Sequence, residues 1–165
     1  GWLDNATLLT EAERIIFSHQ VQQQPEKASL IFEQGMALRQ TIHQVFSTIA
    51  TKRTPNPASL DALNTALQES VRHRRIGLDT KTGHYRWVWD NPNQELGQLL
   101  WPITYSAGEL LTSNKLERVK LCSGDNCGWL FLDTSRNGRR SWCEMKVCGN
   151  RAKAKRHYYR HHSDQ

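Results

Sequence analysis

Four cysteines in the last third of the chain constrain its fold more than any other feature. They form two C-x4-C pairs separated by fifteen residues, and the first 121 residues contain no cysteine. The opening residues show no signal-peptide pattern, so disulfides explain the cysteines less well than a metal site does. Zn²⁺ binds four thiolates tetrahedrally, and two short chelating loops joined by a longer one suit that geometry. The spacing predicts one zinc ion per chain, bound by Cys122, Cys127, Cys143 and Cys148.

This zinc is expected to be structural, because four cysteines fill the coordination sphere and leave no position for a reactive water molecule. A small module with few aliphatic side chains also needs such a site in order to fold. Two alternatives stay open, namely four buried thiols or two redox-active pairs. Three C-terminal histidines, interpreted as helix or tail residues, are the other candidate ligands: His157, His161 and His162.

The basic charge is concentrated in the same part of the chain. Residues 1–115 carry 11 basic and 11 acidic side chains, whereas residues 116–165 carry 11 basic and 5 acidic ones, which accounts for the whole net charge of +6. A basic segment after a neutral body favours an anionic partner, most often nucleic acid, although a solvated tail has the same composition. The candidate DNA contacts are Arg136, Arg139, Arg140, Lys146, Arg151, Lys153, Lys155, Arg156 and Arg160.

Apolar residues at helical spacing predict three helices in the first half of the chain. A capping box that begins at Thr10 predicts a helix over 11–23, and Pro25 opens a longer one over 25–50. Asn56 followed by proline predicts the start of a third. Its inward residues are expected to be Leu60, Leu63, Leu67 and Val71.

The apolar period changes from 3.6 to 2 after the third helix. Residues 75–78 and 84–90 predict a β-hairpin, with the aromatic face of Tyr85, Trp87 and Trp89 packed on the helices. A further helix is expected to start at Asn91–Pro92, and Pro102 should kink it or end its first half.

The cysteine-rich segment should fold as a second hairpin followed by a helix. Its strands are expected over 118–122 and 129–133, with Gly128 at positive φ next to the first cysteine pair. Asn150 is predicted to be the N-cap of a basic helix. Trp129 and Trp142 are interpreted as core residues rather than as platforms for base stacking.

Together these patterns predict a mainly α protein. We expect a helical bundle with a small β-hairpin, followed by a treble-clef-like α+β module that binds zinc. No run of 18 apolar residues is present, so we predict no membrane span and a cytoplasmic location. No G-x-S-x-G, P-loop or H-E-x-x-H motif occurs, and we expect no enzymatic activity.

The residues from Cys122 to Arg160, CSGDNCGWLFLDTSRNGRRSWCEMKVCGNRAKAKRHYYR, resemble the CGNR zinc finger. The tetrad that names this finger is Cys148, Gly149, Asn150 and Arg151. In that family the finger follows an α-helical domain called ABATE, described as a stress-induced transcription regulator, and residues 1–115 are similar to it in layout. The resemblance implies bacterial transcription regulation, DNA contact through the finger at 116–165, and a further N-terminal segment.

Two functions from different classes follow from these observations. The first is a zinc-dependent transcription regulator that binds DNA and whose helical body forms a homodimer or senses a small molecule. The second is a protein-interaction adaptor that does not bind DNA. Within the finger, Arg151 is a candidate either for DNA contact or for hydrogen bonds to the carbonyl groups around the metal site.

Overall fold

The computed structural model describes residues 11–90 and 95–162. Most of them are helical, which confirms the predicted fold class. The helices are α1 (Glu11–Gln23), α2 (Pro25–Ala50), α3 (Pro57–Arg72), α4 (Trp101–Leu111) and α5 (Asn150–His162). The strands are β1 (Arg74–Leu78), β2 (Tyr85–Trp89), β3 (Val119–Leu121) and β4 (Leu130–Leu132).

Helices α2 and α3 begin and end where their local signals predict, and α1 ends at the predicted residue, while the capping box predicted at Thr10 lies outside the described residues. Helix α3 shows the reason most clearly: the side-chain Oδ1 of Asn56 accepts a hydrogen bond from the Ala58 N–H at 3.0 Å. Pro57 follows as the first helical residue, where no N–H donor is needed. None of the helices in the described ranges is long and apolar enough to cross a membrane.

The chain divides into two compact units, each with its own buried residues. The first unit comprises residues 1–41 and 61–109. Its buried apolar side chains come from α1, α2, α3, the 3₁₀ turn Leu96–Leu99 and α4. Those side chains are Phe17, Leu38, Leu63, Leu96, Trp101 and Ala107.

One prediction for the first unit is wrong, and another lies partly outside the described residues. Val71 is 49% exposed, while its neighbour Ser70 is buried with its hydroxyl donating to the Leu67 carbonyl at 3.0 Å. The predicted helix start at Asn91–Pro92 lies outside the described residues, and α4 begins only at Trp101. Pro102 is the second residue of α4, where a missing N–H donor costs little. The break that the sequence predicted near this proline lies between the 3₁₀ turn Leu96–Leu99 and α4.

The β1–β2 hairpin packs on α4 at its open end. Trp89 meets Trp101 and Tyr105, with ring centroids 6.2 and 5.8 Å apart. The guanidinium of Arg74, opposite Trp89 in the register, lies 4.0 Å from the centre of the Tyr105 ring. Tyr85 is 77% exposed near the turn, so the predicted packing of the aromatic face is confirmed for Trp89 alone.

The second unit comprises residues 42–60 and 110–165. Val45 and Phe46, from the C-terminal part of α2, are buried, and so is Val119 of β3. The imidazole Nε2 of His43 lies 3.0 Å from the Gly128 carbonyl oxygen, next to the first cysteine pair. Helix α2 therefore supplies part of the surroundings of the cysteine cluster.

Candidate metal centre

The four cysteines come together although 26 positions separate the first from the last. Their sulfur atoms all lie within 4.8 Å of one another. The Sγ atoms of Cys127, Cys143 and Cys148 lie 3.6 to 3.7 Å apart. A tetrahedral ion with Zn–S bonds of about 2.3 Å requires S···S separations of about 3.8 Å. The cluster therefore fits one structural zinc ion, as the spacing predicted.

Backbone N–H groups stabilise thiolate charge at the first ligand. Cys122 Sγ accepts hydrogen bonds from the N–H of Cys143 at 3.3 Å and of Gly124 at 3.4 Å. Burial by itself raises the pKa of this thiol, but these N–H donors, together with hydrogen bonds from the Cys143 and Cys127 side chains, lower the pKa to about 7. Cys122 is thus prepared to act as a thiolate ligand.

The pKa values of Cys143 and Cys148 are shifted in the opposite direction. The hydrogen bond between Cys148 and Cys127 raises the pKa of Cys148 to about 12, and burial contributes to the same shift. Burial also raises the pKa of Cys143. Four thiolates in so small a volume repel one another unless a cation lies among them. A divalent ion with soft-ligand affinity is the group that this donor set accommodates.

Glycines shape the first knuckle, which we define as residues 122–128. A Cβ atom at Gly124 would lie 3.2 Å from the Cys148 sulfur and 3.4 Å from the Cys122 sulfur, so a side chain there would crowd two ligands. Gly128 has φ of +64°, as predicted, and Asn126 has φ of 57°. The turn is closed by the Cys127 N–H, which donates to the Gly124 carbonyl at 3.1 Å.

The second cysteine pair is placed by a π-helical turn over Met145–Gly149. Its wide geometry is visible in the Gly149 N–H, which donates to the Glu144 carbonyl five residues earlier at 3.2 Å. The turn runs directly into α5. Asn150 therefore has helical backbone angles, φ −67° and ψ −39°, and the prediction that it is an N-cap is wrong.

Arg140 makes the backbone contacts that the sequence suggested for Arg151. Its Nε donates to the Trp142 carbonyl at 2.8 Å, and its terminal nitrogen donates to the Cys143 carbonyl. The guanidinium also lies 4.8 Å from the centre of the Phe131 ring. Arg151 makes no hydrogen bond or ion pair within the described ranges. Arg140 thus fixes the backbone next to a ligand cysteine.

A buried carboxylate closes the loop that leads to Arg140. Asp133 is fully buried, and its Oδ1 accepts from the N–H of Ser135 at 3.0 Å and from its hydroxyl at 2.5 Å. Its Oδ2 accepts from the Lys120 ammonium at 2.7 Å and from the Arg140 N–H at 3.0 Å. The Lys120 hydrogen bond, followed by that of Ser135, holds the pKa of Asp133 far below its usual range.

Lys120 uses its remaining donors on the same loop. Its ammonium also donates to the carbonyl oxygens of Gly138 at 2.5 Å and Arg140 at 3.4 Å. From the sequence, Lys120 had no predicted role beyond its place in the strand expected over 118–122. The available signal was its alternation with Val119 and Leu121, which places a lysine on one face of a strand only three residues long.

Trp129 and Trp142 differ in burial. Trp142 is half-buried, consistent with its predicted packing next to Cys143. Trp129 is 68% exposed, so the prediction that it is a core residue is wrong. Its backbone, rather than its ring, supports the site, because its carbonyl accepts from the Cys122 N–H at 2.8 Å.

The nine predicted cations lie in the exposed parts of the module. Two of them have partners within it: Arg140, as described, and Lys155, which forms an ion pair with Asp125. Lys153, Arg156 and Arg160 follow one another at helical spacing on α5 and share one exposed face. The others are Arg136 and Arg139 in the loop, Lys146 in the π-helical turn and Arg151 at the start of α5.

Comparison with known families agrees with this geometry. Residues 118–161 match the CGNR zinc finger, and residues 1–114 match the ABATE family, described as "Putative stress-induced transcription regulator". No curated protein matches the chain. The two matches together point to a regulatory zinc-finger protein. Because the ABATE match covers more than half of its length, the chain belongs to the ABATE family and carries a CGNR zinc finger after that domain.

Proposed function

We propose that this protein is a bacterial, cytoplasmic transcription regulator that binds duplex DNA through its zinc finger. In this proposal residues 1–115 form the regulatory body and residues 116–165 form the DNA-binding module. The families support a regulatory role, and the excess of positive charge in the finger supports an anionic partner.

One observation carries the proposal: the metal site is continuous with an exposed basic helix. Cys148 lies in the π-helical turn that runs without a break into α5. Three cations, Lys153, Arg156 and Arg160, then share one face of that helix and are exposed. A zinc ion at the cysteines would fix the start of the helix and so hold these cations in one arrangement. Such an array suits a row of backbone phosphates.

The test is the salt dependence of binding to a labelled random duplex, measured by fluorescence anisotropy with protein that contains one zinc per chain. Each phosphate contact contributes about −0.9 to the slope of log K against log salt concentration. Changing Lys153, Arg156 and Arg160 together to Gln should therefore make the slope shallower by about 2.7.

A matched variant changes three exposed cations of the body, Lys27, Arg39 and Lys81, to Gln. It removes the same charge but should leave the slope unchanged, because these residues lie outside the zinc finger. Equal effects of the two variants would assign binding to net charge alone. Zinc-loaded protein that binds no duplex at low salt would contradict DNA binding and favour an adaptor that binds an acidic protein.

A further inference from the structure

A cleft of about 270 Å³ lies beside the first knuckle, against the N-terminal turns of α5. The knuckle contributes Ser123 and Asp125, and the helix contributes Arg151, Lys155 and Arg156. Three cations thus line a cleft with one carboxylate. The cleft adjoins the metal cluster, since Cys148 is also part of its wall.

The cations of this cleft are not equally engaged. The Lys155 ammonium pairs with the Asp125 carboxylate, and this hydrogen bond raises the pKa of Lys155. Arg151 and Arg156 have no hydrogen bond or ion pair within the part of the chain that the structure describes. The cleft therefore offers two guanidinium groups to an anion, while its ammonium is held by a neighbouring carboxylate.

The carboxylate of Asp125 does not stabilise the turn of the knuckle through the contacts that the structure describes. Its carboxylate accepts no backbone hydrogen bond within the described ranges, and the turn is closed by backbone groups of Gly124 and Cys127. Its partner Lys155 lies 30 positions later in the chain. Both side chains of the pair are more than half exposed, at 51% and 59%. Exposed pairs of this kind are weak and exchange readily for other ions.

We propose that this cleft binds a phosphate group of the nucleic-acid backbone, and that Asp125 holds Lys155 in the free protein until phosphate displaces it. A phosphate oxygen offers the same acceptor as the carboxylate, and Arg151 and Arg156 supply further donors to it. The nature of the ligand rests on the proposed DNA binding. The role of Asp125 as a competing anion rests on the geometry of the cleft.

The first experiment measures duplex binding against salt for zinc-loaded protein with Asp125→Asn, with Lys155→Gln and with both changes. Asp125→Asn removes the competing carboxylate, so the affinity should rise about tenfold, while the slope should stay near the wild-type value because Lys155 contacts phosphate in both complexes. Lys155→Gln removes that contact and should make the slope shallower by about 0.9, and adding Asp125→Asn to Lys155→Gln should raise the affinity no more than Glu117→Gln does. Glu117→Gln removes one exposed negative charge at the other end of β3 and is the matched control.

An affinity gain for Asp125→Asn no larger than that for Glu117→Gln, or an unchanged slope for Lys155→Gln, would overturn the assignment of this cleft to backbone phosphate. Zinc content is measured for every variant, because Asp125 lies two residues from Cys127. If Asp125→Asn loses zinc, Asp125→Ser, which also frees Lys155, replaces it in the same comparison.

The second experiment separates this inference from DNA binding by using inorganic pyrophosphate as the probe and calorimetry as the readout. Asp125→Asn should bind pyrophosphate about tenfold more tightly than wild type, and Glu117→Gln should not. That result in a protein that binds no duplex would support the anion cleft while the proposed function fails. Equal pyrophosphate affinity of the Asp125→Asn and Glu117→Gln variants would overturn the assignment of this cleft as an anion site, even if the protein binds DNA.

Discussion

The two β-hairpins of the chain differ in length and in what surrounds them. The β1–β2 hairpin has five residue pairs and lies on aromatic rings, with Trp89 against Trp101 and Tyr105. The β3–β4 hairpin has only three pairs, too few to be stable alone. The four-cysteine cluster lies at its turn, and the buried carboxylate of Asp133 lies at its open end.

The two hairpins therefore depend on different kinds of contact, and strand length is not what they have in common. The longer hairpin keeps large apolar side chains exposed, including Ile76 at 64% and Trp87 at 56%. The shorter one relies on a few directional contacts, namely metal–sulfur bonds and charged hydrogen bonds. The first should therefore respond to the loss of packing, and the second to the loss of single polar atoms or of the metal.

Removal of zinc should have the largest effect and should separate the two hairpins completely. Structural zinc supplies roughly 10–16 kcal/mol of apparent binding energy in small fingers, more than a module of this size can replace. With a strong chelator we expect the NMR amide signals of Gly124 and Gly128 to collapse to unfolded positions. The Gly77 signal in β1 should keep its folded position.

The control is restoration of both signals by added zinc. Unchanged signals of Gly124 and Gly128 after complete metal release, verified by elemental analysis, would show that hydrogen bonds alone hold the second hairpin.

Asp133→Asn should have the next largest effect, lowering Tm of the zinc-loaded module by about 10 °C. The change leaves Lys120 without its carboxylate and breaks the acceptor set that closes the loop. The folded pKa of Asp133 lies well below its unfolded value of about 3.9, so its contribution is fully present above about pH 5 and is lost progressively in stronger acid. The Tm difference between wild type and variant should therefore be constant from pH 8 to 5.5, and it should shrink only in stronger acid.

Asp125→Asn serves as the comparison for this experiment because it removes a carboxylate from the same module at an exposed position. We expect it to change Tm by less than about 2 °C. Similar shifts for the two variants would mean that burial of Asp133 contributes nothing specific.

Arg74→Ala should have the smallest effect, and it should be confined to the first hairpin. The guanidinium lies over Tyr105 and Trp89 at 4.0 and 4.5 Å, a geometry worth about 0.5–2 kcal/mol. Urea unfolding should show a loss in that range. The neighbouring Arg75→Ala removes only an exposed pair with Asp90, at 3.2 Å, and should cost no more than about 0.5 kcal/mol. Equal losses would rule out a specific contribution of the aromatic contacts.

Much of the fold could be predicted because its signals are local. Helices α1, α2 and α3 follow apolar periods, and Asn56 caps α3 through its own side chain. The strands of both hairpins follow period-2 alternation. The four cysteines could be predicted to meet because their spacing itself carries the geometry of a metal site.

The rest depends on contacts between residues that are distant in sequence. Nothing near Arg140 distinguishes it from Arg139, yet its hydrogen bonds to Trp142 and Cys143 require the loop to be closed by Asp133. Asparagine is a favoured N-cap residue, but Asn150 follows the π-helical turn Met145–Gly149 directly and therefore already has helical backbone angles. Trp129 is exposed because this module is stabilised by ligands rather than by a large apolar core.

The π-helical turn at Met145–Gly149 also sets the rotation of α5 about its own axis. It contains one residue more than an α-helical path between the same ends would need. Each residue of an α-helix adds a rotation of about 100° about the helix axis. Removing one residue between Cys143 and Cys148 would therefore rotate Lys153, Arg156 and Arg160 by roughly that angle relative to the metal site. The number of residues between two cysteines thus determines the direction in which the basic face points.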